Sequence, residues 1–149
     1  MLNWLKDRGN EARARLTAEV SKFKNRTFME ATVAACALVA AADGTISSEE
    51  KQKMAGFIRN SDELKHFAMA DVIAFFEKAV GNFDFDAAIG KAEALKVIGR
   101  LRTNQEQARV MVRVACVIGG SDGNFDQKER TVVREICVEL GLNPSEFDL

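Results

Sequence analysis

Several residue types are absent or scarce, and each shortage narrows what this chain does. It has no tyrosine, and proline, tryptophan and histidine each occur once in 149 residues. The one histidine, His66, stands between Lys65 and Phe67. It has no second imidazole for a zinc site and no obvious partner for a catalytic triad. The three cysteines, Cys36, Cys116 and Cys137, are odd in number, far apart and form no CxxC. That pattern argues against a disulfide framework or a zinc site. Long apolar runs are also missing. The longest covers residues 33–42, far short of the ~20 residues that span a bilayer. The N-terminus carries no uninterrupted apolar stretch of the signal-peptide kind. GxSxG, P-loop and dinucleotide-binding fingerprints are absent too. The expectation is a cytoplasmic protein that is not an enzyme.

Scarce proline, ten phenylalanines and frequent alanine point to a helical, tightly packed chain, and 149 residues suffice for one domain with a substantial core. Net charge is −1, so nothing global suggests nucleic acid. The charge is unevenly spread: residues 1–26 hold seven Lys/Arg against three Asp/Glu, and the rest holds fourteen against nineteen. A basic N-terminal arm (1–26) therefore precedes an acidic body.

Within the arm, residues 2–24 read as an amphipathic helix through Leu5, Ala12, Leu16, Val20 and Phe23. With Trp4 and its cations, such a helix suits peripheral contact with an anionic membrane or a partner; a solvated helix packed loosely on the body is the simpler reading. Residues 28–42 are apolar nearly all round and predict a central buried helix that ends at Asp43-Gly44. Ser47 with Glu50 forms a capping box for the next helix, which carries Met54, Phe57 and Ile58. Ser61 opens a short turn through Phe67. Asp71 is expected to start a helix closed by Gly81-Asn82. Asp84 or Asp86 starts another, with Ala88, Ile89, Ala92, Leu95, Ile98 and Leu101 inward. Thr103 with Glu106 caps a helix over 104–119. Asp126 with Glu129 caps one ending at Gly141, and Pro144 fits the first position of a closing turn. No stretch alternates with period two. The fold class is all-α: about seven helices in a single domain over 1–149.

One pattern occurs twice. Asp43-Gly44, Ile46, Ser47, Glu50 and Lys51 recur 79 residues later as Asp122-Gly123, Phe125, Asp126, Glu129 and Arg130. Met54, Phe57 and Ile58 continue the register onto Val133, Ile136 and Cys137. Each match keeps its physical role, so the reading is an internally duplicated helix–loop–helix bundle, with copies at about 28–61 and 104–142.

If the copies pack together, Asp43, Glu50, Asp122 and Glu129 converge, with Asp126 as a further candidate. Clustered carboxylates repel without a positive charge among them, and hard oxygen ligands suit Ca²⁺ or Mg²⁺. The loops are not EF-hands, because their glycines come second and their twelfth positions are apolar. Helix capping competes with this reading: Ser47/Glu50 and Asp126/Glu129 cap helices, Asp43 and Asp122 suit Asx-turns, and Lys51 and Arg130 could neutralise their neighbours. On the residues alone capping explains more of the pattern, and both readings stand. The cysteines align with apolar positions or lie in the alanine-rich helix, which suits packing rather than thiol chemistry.

The runs at 34–50 (AACALVAAADGTISSEE) and 114–129 (VACVIGGSDGNFDQKE) resemble the tellurite-resistance TerB family, and the resemblance extends over essentially the whole chain. It implies an all-α, internally duplicated fold with surface carboxylates proposed to coordinate a metal. Matched by motif, the candidate ligands are Asp43, Glu50, Asp122 and Glu129. It also implies a bacterial stress-response role, with TerC-type membrane proteins and TerD-type calcium-binding proteins as partners, and no catalysis. The function expected is a cation-binding or interaction module at the cytoplasmic side of the inner membrane. The alternative is an acidic scaffold that binds partners without metal.

Overall fold

The structure is a computed structural model; it describes residues 11, 14–23, 25–42, 46–60, 64–119 and 125–149, apart from the side chains of Glu50 and Phe57. Among these residues there are seven α-helices and no strand. Residues 14–20 form α1. The others are α2 (Arg26–Ala40), α3 (Ser48–Arg59), α4 (Met69–Phe85), α5 (Ala87–Gly99), α6 (Gln105–Gly119) and α7 (Gln127–Leu140), followed by a 3₁₀ turn, Pro144–Phe147.

The bundle is built on α2. Phe28, Met29 and every residue from Ala31 to Val39 are buried. A helix apolar all round must be covered on all sides, and its alanines let neighbours approach closely. It contacts α4, α5 and α6 most extensively, and also α3 and α7. Its one buried polar side chain, Thr32, donates from Oγ1 to the Phe28 carbonyl at 2.8 Å and so leaves no unmet donor. Asn25 caps α2 by accepting the Phe28 N–H at 2.8 Å.

The described part of the arm is not loosely attached. Leu16 and Val20 of α1 are buried, while Arg15 and Lys22 are exposed. Phe23 packs on Phe28 at a ring separation of 5.6 Å, and Phe28 stacks on Phe67 at 6.3 Å. The described part of that apolar face, Leu16, Val20 and Phe23, packs on the core. Trp4, Leu5 and Ala12 lie outside the described residues.

Helices α4 and α5 differ from the reading of the sequence. The α4 helix starts at Met69 with Ala68 as a cap that makes no side-chain bond, so Asp71 sits inside its first turn. It runs through Gly81-Asn82 to Phe85, because a single exposed glycine weakens a helix without ending it. Asp86 is the true boundary: its side chain accepts the Ile89 N–H at 3.0 Å and starts α5. The buried face of α5 is Gly90, Ala94 and Ile98, whereas Ala88, Ile89 and Ala92 are exposed. Gly90 sets this rotation. A Cβ there would lie 2.6 Å from Phe83 Cγ and 2.7 Å from Phe83 Cα, so the two helices meet where only glycine fits.

In α6, Asn104 rather than Thr103 is the cap, accepting the Gln107 N–H at 3.2 Å. The Gly141 end of α7 is as expected. Its φ of 72° is the left-handed conformation that glycine adopts freely, and the Leu142 N–H reaches back to the Cys137 carbonyl at 2.8 Å. The closing 3₁₀ turn starts at Pro144 and buries Phe147 beneath the Arg113 guanidinium, 5.4 Å from the ring centre. The Ser61 cap lies outside the described residues.

The glycines of this hairpin make opposite predictions. Gly90→Ala gains helix propensity but forces a backbone clash, for a net loss of about 1–2 kcal/mol. A Cβ at Gly81 meets nothing within 4 Å, so Gly81→Ala is expected to stabilise by about 0.5–1 kcal/mol. Urea unfolding followed by circular dichroism measures both.

Candidate functional site

The two acidic turns follow the apolar helices α2 and α6 and lead into α3 and α7. Each exits through an apolar residue seated on the core: Ile46 is 7% exposed, and Phe125 packs against the core while half-buried. The helix bounds repeat the spacing of the motifs. Helices α2 and α6 begin at 26 and 105 and end at 40 and 119, and α3 and α7 begin at 48 and 127.

Asp126 and Glu129 form the complete capping box expected of them. The Asp126 carboxylate accepts the Glu129 N–H at 2.8 Å, and Glu129 Oε1 accepts the Asp126 N–H at 3.0 Å. Ser47 stands at the equivalent place before α3, its carbonyl accepting the Lys51 N–H at 3.0 Å. Glu50 lies in the first turn of α3, and its side chain is not among the described ones. Asp43 and Asp122, with residues 44–45 and 120–124, lie outside the described residues. Among the described residues no three His, Cys, Asp or Glu side chains group as metal ligands do.

The stems of the turns are close together. Asn25 Nδ2, at the start of α2, donates to Gln107 Oε1 in the first turn of α6 at 3.4 Å, so the two helices set out side by side. Farther along, Ala41 and Ala42, which lead into the first turn, line one cleft with Lys128, Thr131 and Val132, which follow the second. The cations of the motif reach for other partners. Lys51 Nζ lies 2.6 Å from Asp84 on α4, and the Arg130 guanidinium donates to the Asp148 carbonyl at 2.7 Å. The sequence reading missed Asp84 because it comes from a distant helix. It also missed Asn25 and Asn104 as caps, although the 79-residue spacing that aligns the turns aligns these two as well.

The cysteines are buried, and none is in a disulfide. Burial pushes Cys36 from its ordinary value near 9 up to about 12. It also raises Cys116, where neighbouring Cys137 adds to the effect and the nearby Arg130 and Arg113 only partly oppose it. Cys137 is pushed to about 12, by burial first and then by the Glu146 carboxylate. These are protonated packing groups at neutral pH.

The described residues form a small all-helical fold, in which the acidic motif at 122–130 ends in a capping box. The family model for "Tellurite resistance protein TerB" matches residues 29–149. A protein of Alcaligenes sp. described as "Tellurium resistance protein TerB" is 52% identical over 102 residues, covering 68% of this chain and 84% of that protein. The chain belongs to the TerB family of tellurite-resistance proteins. No solved structure matches it.

The thiols are expected to stay unreactive toward Ellman's reagent at pH 8 in the native protein and to react on unfolding. Because the folded pKa values are raised, the unfolded chain gives up its thiol protons first. Stability is therefore expected to fall as pH rises from about 9 toward 12, which alkaline unfolding curves of the Cys36→Ala variant would test.

Proposed function

We propose that this TerB-family chain is a non-enzymatic module that holds a divalent cation, Ca²⁺ or Mg²⁺, between two acidic turns. Asp43, Glu50, Asp122 and Glu129 are the ligands, with Asp126 beside them. The observation that carries this reading is the meeting of the stems: residues leading into the first turn and residues following the second line one cleft, which supports a short distance between their ligands. The pairing of Lys51 with Asp84 adds to it, since that cation serves α4 instead of its own turn.

The site arises, on this reading, from an internal duplication. Support comes from helix bounds and N-cap asparagines that recur at the spacing of the motifs. The cross-contacts are consistent with it: α2 packs on α6, and each also touches the second helix of the other copy. Buried, protonated cysteines support a role without thiol chemistry. No described helix is long and apolar enough to cross a membrane. On this reading, action beside a membrane runs through TerC-type proteins, with TerD-type calcium-binding proteins as further partners, or through contacts of the basic arm.

The capping box favours a second reading, in which the acidic turns only start helices and present charge to a basic partner. The two readings separate on Glu129→Gln. Glutamine can keep the capping box, so unfolding should change by less than about 0.5 kcal/mol. If Glu129 is a ligand, cation affinity should fall about tenfold or more. A Ca²⁺ and Mg²⁺ titration of the ¹⁵N-labelled chain is expected to move the Gly44 and Gly123 amides, and Asp43→Asn with Asp122→Asn should abolish the response. Amides unmoved at millimolar metal would leave the scaffold reading, whose mark is salt-dependent partner binding that the same double variant weakens.

A further inference from the structure

The cleft that joins the two stems has a composition of its own. It measures about 300 Å³ and lies where the end of α2, the α4–α5 corner and the first turns of α7 meet. Leu38, Ala41, Phe83 and Val132 give it apolar walls. Its charged lining is Lys91, Lys128 and Glu135. Lys91 Nζ lies 2.5 Å from Glu135, so that pair neutralises itself. Lys128 is exposed and makes no ion pair with another described residue. The volume is at the lower end of the range of small-ligand sites. What remains is an apolar recess with one uncommitted ammonium.

We infer that this cleft binds a small amphipathic carboxylate, with its hydrocarbon body between Leu38, Phe83 and Val132 and its carboxylate against Lys128. Apolar burial supplies affinity, and Lys128 selects an anion over a neutral molecule of the same shape. In one respect this rests on the cation reading. Ala41 and Ala42 lead directly into the first acidic turn, and Lys128 follows the second. Uncompensated carboxylates there oppose a second anion, and a bound divalent cation removes the opposition. Cation and carboxylate therefore bind cooperatively, each tightening the other by the same factor.

Hexanoate titrated into the ¹⁵N-labelled full chain, with hexan-1-ol as the neutral comparison, tests the inference. Saturable shifts are expected at Leu38, Ala41 and Val132, with hexan-1-ol binding several-fold more weakly. Lys128→Glu alters an exposed position and should weaken hexanoate by about tenfold through charge reversal, and Ca²⁺ should tighten it in the unaltered chain. Equal binding of hexan-1-ol, equal binding to Lys128→Glu, or shifts centred elsewhere would overturn the carboxylate site. The two readings fail separately. Lys128-dependent hexanoate binding that ignores Ca²⁺, with the turn amides also unmoved, removes the cation and its coupling and keeps the cleft. Turn amides that respond to Ca²⁺ while Lys128→Glu binds hexanoate normally keep the cation and remove the cleft.

Discussion

Burial of α2 on every side is the constraint from which the rest of the arrangement follows. A helix of small apolar residues has no face for water, so α4, α5 and α6 must close on it, with α3 and α7 filling the gaps. Alanine at so many positions lets those neighbours come near without large side chains between them. The same property limits the helix, because Ala41 and Ala42 are the last apolar residues before Asp43. The first acidic turn thus begins at the edge of the core, and the same cleft receives the start of α7. The position of these stem residues is a consequence of core packing.

Capping and the proposed cation site draw on some of the same residues. A capping box is worth on the order of 1 kcal/mol, a real contribution that asks for only one oxygen of each side chain. Asp126 and Glu129 meet that demand through Oδ1 and Oε1. Capping therefore accounts for the later half of the second turn, from Asp126 onward. It has no need of Asp43 and Asp122, which precede the glycines. Asx-turns would account for those two carboxylates without a metal, and the proposed cation site depends on them most.

Periodicity, caps and punctuation made most of the helices legible, because local chemistry decides where a helix starts and stops. The α2 run, the Asp126 box, the Gly141 terminus and the Pro144 turn are all local events. The misreadings are tertiary. Gly81-Asn82 looked like a stop, but α4 continues past it to Phe85, with Phe83 packed on the core and on Gly90 of α5. The apolar positions of α5 are too many to define one face, and only the contact of Gly90 with Phe83 decides which side turns inward. At the candidate site the cap was readable and the partner of Lys51 was not, since Asp84 lies 33 residues away on another helix.

The two turns also lead into stems that are held by different contacts. On the second side, α7 packs on α2, α5, α6 and the closing 3₁₀ turn. Arg130 is fastened to the Asp148 carbonyl and Arg109 to Glu146, so the chain end clamps that stem. On the first side, α3 rests on α2, α4 and α6. Its tie to α4 is the Lys51–Asp84 pair, whose side chains are 32% and 49% exposed. An ion pair so open to water contributes at most about 1 kcal/mol. The pair therefore adds little to α3, whose hold on the bundle comes from the burial of Met54 and Ile58 in the core.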